Sequence, residues 1–190
     1  FSAACLASET LKEKYPELDV IPVDSKAATG GMGILIEQAL KNREQGVSLE
    51  ENAKALKAYV TKIKHWFLVQ DLNYLKRGGR VSSTTAFVGS MLNIKPILKI
   101  DENGKLTTIA KKRGNKMAVQ ALFELFKEHY DEQITDTIYL CDADCKELST
   151  LLAEELHKTF PNLEIKQTTL CPIIGAHTGP GMLAICHLGK

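Results

Sequence analysis

The residues near the carboxyl terminus combine a reactive side chain with unusual backbone freedom. The segment IGAHTGPGMLAICHLGK, residues 174–190, places His177 among three glycines, a proline and a threonine, just ahead of an apolar run. Gly175, Gly179 and Gly181 permit strained backbone close to a ligand. A histidine in this setting can bind an anionic group, act as a base or fill a loop, because imidazole titrates near neutral pH. The residue types alone leave these three roles open.

A second segment offers guanidinium groups. Arg77 and Arg80 flank the pair Gly78-Gly79 in LKRGGRVSS, and a run of serines and threonines follows. The planar fork of arginine suits a carboxylate or a phosphate. The alternative interpretation is a solvated basic turn beside a helix.

A third segment, VDSKAATGGMG, places Asp24 and Ser25 at the end of an apolar run and ahead of Gly30, Gly31 and Gly33. Ligands of open α/β sheets bind at the carboxyl ends of strands, and helix N-termini attract anions. The glycine spacing does not match the dinucleotide fingerprint. A helix start whose glycines allow close packing is the structural alternative.

Hydrophobic periodicity and turn residues predict an alternation of helices and strands. Ser48 and Glu51 fit a capping box at a helix start, and Asn103-Gly104 is a strong hairpin signal. We predict helices over 1–15, 27–45, 48–65, 84–94, 115–130 and 144–160, and strands over 18–25, 66–70, 95–100, 105–112, 136–142, 163–170 and 182–188. The fold class is α/β with two domains: residues 1–65 form the remainder of a partial Rossmann-like N-terminal domain, and residues 66–190 form a mixed α/β C-terminal domain.

Composition limits the function classes. The chain has 190 residues, 44% hydrophobic and 25% charged, with a net charge of +1. This balance predicts a globular protein and argues against binding to nucleic acid. No apolar run reaches the roughly 18 residues that a membrane span needs, so we expect no stable membrane insertion. Five cysteines without a CxxC pair predict reduced thiols in the cytoplasm and no metal site.

Two sequence blocks resemble the DegV family of bacterial fatty-acid-binding proteins, which includes the carrier subunits of fatty acid kinase. The blocks are LNYLKRGGRVSSTTAFVGSMLNIKPIL with the later DENGKL, and GAHTGPGMLAI. The resemblance extends over the whole chain. It implies two α/β domains with a long-chain fatty acid in an apolar tunnel and no other cofactor. The carrier would present the carboxylate to a separate kinase, which makes acyl phosphate, and would perform no chemistry itself.

The resemblance also assigns residues. His177 matches the histidine beside the ligand carboxylate, and Arg80 matches a buried arginine that supports it. Arg113, in the basic run AKKRGNK, matches a surface arginine implicated in kinase docking. Asp24 and Ser25 match the family's Asp-Ser loop beside the pocket, and we expect Gly175 and Gly179 to shape the ligand loop. Gly89, Met91, Met32 and Met182 are candidates for the tunnel wall.

The chain departs from the family pattern at its start. The first residue is Phe1, within a predicted helix, whereas family members carry an earlier strand and a Ser-Gly-Thr motif that supplies hydroxyl ligands. We therefore expect a truncated chain with part of the carboxylate site.

Two other function classes stay open from the residues. One is a hydrolase or transferase with His177 as base and Cys171 or Cys186 as nucleophile, although no oxyanion motif accompanies them. The other is a nucleotide-binding module that uses Gly30–Gly33. Co-purified fatty acid would distinguish the carrier from both.

Overall fold

The computed structural model describes residues 1–82 and 93–190. Its six strands are β1 Ile63–Leu68, β2 Ile94–Ile100, β3 Leu106–Arg113, β4 Thr137–Ala143, β5 Glu164–Thr169 and β6 Met182–Leu188. They form one sheet in the order β3-β2-β1-β6-β4-β5. The pair β4–β5 is parallel, and the other four pairs are antiparallel. The described part of the chain thus has the predicted mixed α/β fold.

Seven helices belong to the described residues. They are α1 Ser2–Lys14, α2 Gly30–Glu44, α3 Leu49–Val60, α4 Leu72–Arg77, α5 Gly114–His129, α6 Lys146–Thr159 and α7 Pro172–Thr178. No residue of α1 is buried, although the sequence predicts an amphipathic helix there. The other long helices pack on the sheet or on one another.

The centre of the sheet holds the apolar core. Every residue of β6 is buried, because β6 lies between β1 and β4 and both of its faces are covered. One face packs against α2 through Ile34 and Leu35. The other face packs against α5 and α6, whose largest fully buried side chains include Phe126 and Leu152. Such two-sided burial explains why MLAICHL reads as a nearly continuous apolar run.

The first turns of α2 approach the sheet unusually closely. A Cβ placed on Gly30 would lie 2.4 Å from the Tyr139 Cβ, and one placed on Gly31 would lie 1.7 Å from His65 Nε2. The side chain of Glu37, one turn further along, bonds to Tyr139 and Lys166. The structure therefore supports the close-packing interpretation of these glycines.

Several predicted elements are confirmed. The hairpin turns at Asn103-Gly104, where Gly104 has φ +75° and Asp101 Oδ1 accepts from the amides of Asn103 and Lys105 at 2.9 Å each. Ser48 Oγ accepts from the Glu51 amide at 3.3 Å and so caps α3. Strand β6 has the predicted bounds, and the predicted helices over 115–130 and 144–160 correspond to α5 and α6.

The prediction of a strand over residues 18–25 is wrong. Leu18 and Val20 are 45% and 42% exposed, and none of the described strands pairs with this segment. Extended backbone needs a neighbouring strand to satisfy its amides and carbonyls, whatever its apolar content. A side chain supplies one partner instead, because Ser8 Oγ donates to the Val20 carbonyl.

Two segments predicted as irregular contain short helices. LNYLKR forms α4, which begins after Asp71, whose carboxylate accepts from the Asn73 amide at 2.8 Å. The predicted glycine loop is helical over α7, because Pro172 is suited to a first helical turn, and it ends at Gly179 with φ +77°. The predicted helix over 84–94 lies outside the described residues except for Asn93 and Ile94, and Ile94 begins β2.

The predicted division at residues 65 and 66 falls inside β1, which begins at Ile63. Helix α2, from the N-terminal side of that division, packs on β6, β4 and β1. The two-domain division remains a prediction.

The close packing of α2 makes a stability prediction. Gly31→Ala should lower the free energy of unfolding by about 1–3 kcal/mol, because the new methyl group must displace the buried His65 ring. Gly175→Ala is the matched control, since Gly175 is also helical and a Cβ there meets nothing within 4 Å. Urea unfolding would measure both, and equal stability of the two variants would contradict the packing role of Gly31.

Candidate functional site

A cavity of about 670 Å³ opens between the loop before α2, the β1–β6 face of the sheet, α7 and the tip of the β2–β3 hairpin. Its walls are mostly apolar. The apolar lining includes Phe67, Leu75, Ile100, Leu106, Ile174, Met182 and Ala184. This is the type of concave, largely apolar site that binds small molecules.

Four of the predicted ligand residues line this cavity, and two do not. His177, Arg80, Asp24 and Ser25 come from three separate segments and meet at its wall. Met32 and Met182 line it as expected, whereas Gly89 and Met91 lie outside the described residues. Gly175 and Gly179 are not among the lining residues.

His177 occupies the last turn of α7 and is half-buried. Its ring lies against Gly78, where a Cβ would be 2.1 Å from His177 Nδ1. Within residues 1–82 and 93–190, no hydrogen bond uses the imidazole. The ring therefore keeps hydrogen-bonding capacity for a ligand in the cavity.

The family match predicts that Arg80 is buried and hydrogen-bonded to His177 or to its backbone neighbours, and the predicted burial is wrong. Arg80 is exposed, and its Nη1 donates to the Gly78 carbonyl at 2.7 Å. Exposure at the cavity wall avoids the cost of burying an unpaired charge. Arg80 and His177 instead share Gly78 as a common neighbour. Arg77 is exposed, as predicted, and lies over the Tyr74 ring at 4.5 Å.

The Asp-Ser loop is held by its own side chains. Asp24 Oδ1 accepts from the Lys26 amide at 3.1 Å, and Ser25 Oγ accepts from the Ala27 amide at 3.3 Å. Lys26 Nζ donates to the Glu102 carbonyl at 2.9 Å, which ties the loop to the hairpin. Lys26 also lines the cavity and supplies a second cation that the sequence patterns did not single out.

Gly179 and Gly175 position α7 rather than line the cavity. A Cβ on Gly179 would lie 2.5 Å from Tyr74 Cδ2, and its φ of +77° favours glycine. The Gly179 amide donates to the Gly175 carbonyl at 2.8 Å. Both glycines thus fix the end of the helix that carries His177.

The floor of the cavity contains a histidine and a cysteine that the ligand predictions missed. His65 on β1 is 7% exposed, and its Nε2 lacks a hydrogen-bond partner within the described residues. Cys186 on β6 is its cross-strand neighbour and also lines the cavity. The period-two spacing of His65, Phe67 and Val69 is the sequence signal that they share one sheet face.

The enzyme alternative required a cysteine beside His177. Cys171 precedes α7, is exposed and does not line the cavity. The Cys186 thiol interacts with Cys141. Within the described residues, neither thiol has a hydrogen bond to the His177 imidazole, which is the pair that nucleophilic catalysis needs.

Arg113 lies apart from the cavity. It ends β3, opposite Ile94 of β2, and is exposed as predicted. Lys111 and Lys116 nearby are also exposed. Its position outside the cavity is compatible with docking, which remains a prediction.

Within residues 1–82 and 93–190, no cluster of three or more His, Cys, Asp and Glu side chains could hold a metal ion. None of the helices in those ranges is long and apolar enough to cross a membrane.

The buried histidines predict a pH dependence of stability. Burial lowers the pKa of His65 to about 4 and that of His187 to about 3, from a usual 6.5. Their stabilising contribution is therefore complete above pH 6.5 and is lost as the pH falls toward 4. At pH 5, each of the two histidines should lower the free energy of unfolding by about 2 kcal/mol relative to its value above pH 6.5.

Urea unfolding at about pH 7.5 and about pH 5 would test this, because these two values bracket the histidine titration. His65→Leu should reduce the pH-dependent loss, while His157→Leu, at an exposed position of α6, should keep it. An unchanged loss in His65→Leu would contradict the assignment.

The chain is similar to known proteins over its full length. The family model described as "Uncharacterised protein, DegV family" matches residues 1–190. A DegV domain-containing protein of Clostridium perfringens is 36% identical over 189 residues, which are 100% of this chain and 65% of that protein. The chain thus spans about two thirds of the length of that curated relative.

Two solved structures share the fold. The Fatty Acid Kinase (Fak) B3 protein of Streptococcus pneumoniae, loaded with linoleic acid, has a TM-score of 0.91 and 28% identity over 100% of this chain and 66% of its own. DegV of Bacillus subtilis, described as a fatty acid binding protein, has a TM-score of 0.84 and 32% identity over 100% of this chain and 66% of its own. The family match over the full chain and these relatives show that this chain belongs to the DegV family.

Proposed function

We propose that this protein binds a long-chain fatty acid in the 670 Å³ cavity and presents the carboxylate to a separate fatty acid kinase. The observation that supports this best is the combination, in one cavity, of apolar walls, the Arg80 guanidinium and the His177 imidazole, which has no hydrogen bond within the described residues. Two structural relatives, at 28% and 32% identity, are described with linoleic acid bound or as fatty acid binding.

The carboxylate end lies at the polar side of the cavity. A buried carboxylate is costly unless it is hydrogen-bonded and charge-compensated. His177 supplies a hydrogen-bonding ring, and Arg80 supplies a positive charge that is already anchored to Gly78. Lys26 adds a second cation, which offsets the Asp24 carboxylate in the same loop. Ser25 is the hydroxyl among the predicted ligand residues at this wall.

The acyl tail lies along the sheet face between Phe67, Met182 and Ala184. Each buried methylene contributes about 0.8 kcal/mol, so a long tail supplies most of the affinity. The polar residues then orient the carboxylate more than they hold the molecule. Methionines at the wall adapt to the shape of different tails.

The protein itself carries out no bond-breaking step in this proposal. The kinase makes the acyl phosphate, and this protein supplies the bound substrate and a docking surface around Arg113. The five cysteines are free thiols, which fits a reducing compartment such as the cytoplasm.

His177→Ala should separate binding from presentation. Linoleic acid affinity should fall only about tenfold, because one hydrogen bond to a charged group is lost while the tail contacts remain. Acyl phosphate formation by a bacterial fatty acid kinase should be abolished. His157→Ala is the matched control, since His157 is exposed on α6. Unchanged acyl phosphate formation by His177→Ala would contradict the role of this histidine.

Arg113→Ala should affect the kinase step alone. Its exposed charge lies in a basic run on a chain of net charge +1, so its removal should weaken association with an acidic partner surface about tenfold at low salt. Linoleic acid binding should stay unchanged.

One control variant and two possible outcomes test the docking role of Arg113. Arg43→Ala, at an exposed position near the end of α2, should leave kinase turnover unchanged. Loss of lipid binding in Arg113→Ala would place Arg113 in the cavity. Equal turnover at physiological salt would leave it without a docking role.

A further inference from the structure

Two cysteines lie beneath the start of α2, beside the proposed lipid. Cys141 on β4 and Cys186 on β6 are diagonal neighbours, since Tyr139 is opposite Cys186 and Cys141 is opposite Ala184. Both thiols are buried, with Cys186 1% exposed. They lie within hydrogen-bonding reach of each other. Neither thiol has a part in fatty acid binding or presentation as proposed above.

The start of α2 surrounds this thiol pair with hydrogen-bond donors. The Gly30 amide faces Cys141 and the Thr29 hydroxyl reaches both thiols, whereas the Gly31 amide donates to the Ala28 carbonyl at 3.1 Å. The Cys141 sulfur is so close that a Cβ on Gly30 would lie 3.0 Å from it. Amides at a helix N-terminus stabilise a thiolate and so make a cysteine reactive.

A second, independent feature marks the same place. His65 is opposite Cys186 in the β1–β6 register, and it is more than nine-tenths buried. Its Nε2 has no partner within the described residues, and its ring, like the two thiols, lies against the start of α2. A buried polar atom without a partner is costly, so an unfilled hydrogen-bonding position beside Cys186 suggests a ligand group.

Cys186 is the thiol that a ligand can reach. It lines the cavity together with His65 and Thr29, whereas Cys141 does not. Cys171 is exposed and outside the cavity, and the Cys145 thiol donates to the Met182 carbonyl at 3.0 Å. Its position in the cavity wall thus singles out Cys186.

We propose that Cys186 is a covalent modification site for fatty acids that carry an α,β-unsaturated carbonyl group along the chain. The inference rests on the proposed function, because the apolar cavity must first hold the acyl tail. A thiol is a soft nucleophile, and one that is shielded from water at the wall of a lipid cavity reacts preferentially with the polarised carbon–carbon double bond of an enone. The protein would thereby capture oxidised fatty acids and withhold them from the kinase.

The step is a conjugate addition. The Cys186 sulfur forms a bond to the β-carbon as the carbon–carbon π bond breaks, and the electron pair moves to the α-carbon and its carbonyl. Cys141 accepts the Cys186 proton, and that proton then passes to the α-carbon. Hydrogen bonding between the two thiols lowers the pKa of Cys141, and the same contact together with burial raises that of Cys186, so Cys141 is the proton acceptor of the pair. No oxidant, reductant or leaving group is needed.

The test uses the 190-residue chain and an enone derivative of linoleic acid, with adducts located by peptide mass spectrometry. We expect the full mass of the probe on Cys186. Methyl vinyl ketone, an enone without a tail, should modify the exposed Cys171 first. Unmodified linoleic acid should compete with the long probe. Cys141→Ser should slow the reaction about tenfold or more, because the proton acceptor is lost.

Cys171→Ala is the matched control and should leave the adduct at Cys186 unchanged. Thr29→Val serves as a second variant that keeps both thiols, and it should slow the adduct while circular dichroism confirms folding. Modification only at other cysteines, or a rate at Cys186 independent of the tail, would overturn the inference. Binding of linoleic acid without an adduct would refute this inference alone, whereas no binding of either lipid would refute the proposed function.

Discussion

The close approach of α2 to the middle of the sheet is the contact on which the cavity depends. Gly30 and Gly31 let the helix backbone reach Tyr139 and His65 at distances that no side chain would allow. Glu37 then anchors the next turn to β4 and β5. Because the start of α2 rests on the sheet, the preceding loop lies over the β1–β6 face. That loop and the sheet enclose the space in which the ligand is proposed to lie.

The charges at the cavity wall belong to different segments of the chain. Arg80 is fixed to Gly78, His177 packs on the same glycine, and Lys26 is tied to the hairpin. A ligand carboxylate would therefore connect α7, the turn after α4 and the loop before α2. The binding energy of the acyl tail can hold these segments in one arrangement. The polar groups of an open site are then ordered when the ligand binds.

The surface proposed for a partner and the cavity proposed for a lipid lie on different parts of the sheet. β3 is an edge strand, and Arg113 ends it with an exposed side chain. The cavity lies instead against the central strands β1 and β6. A change at the edge would thus alter association without altering the apolar walls. The two proposed functions can be tested separately for this reason.

The sequence by itself determined most of the local structure and the three segments of polar residues that line the cavity. Alternating apolar residues and the Asn103-Gly104 turn were sufficient for the hairpin, because local backbone preferences dominate there. The motifs also identified His177 and Arg80 as neighbours of one cavity. Only the tertiary structure decided that residues 18–25 form no strand, since pairing depends on a distant partner. It also decided that Arg80 is exposed and that His65 and Cys186 meet at the cavity floor, because strand register joins residues far apart in the chain.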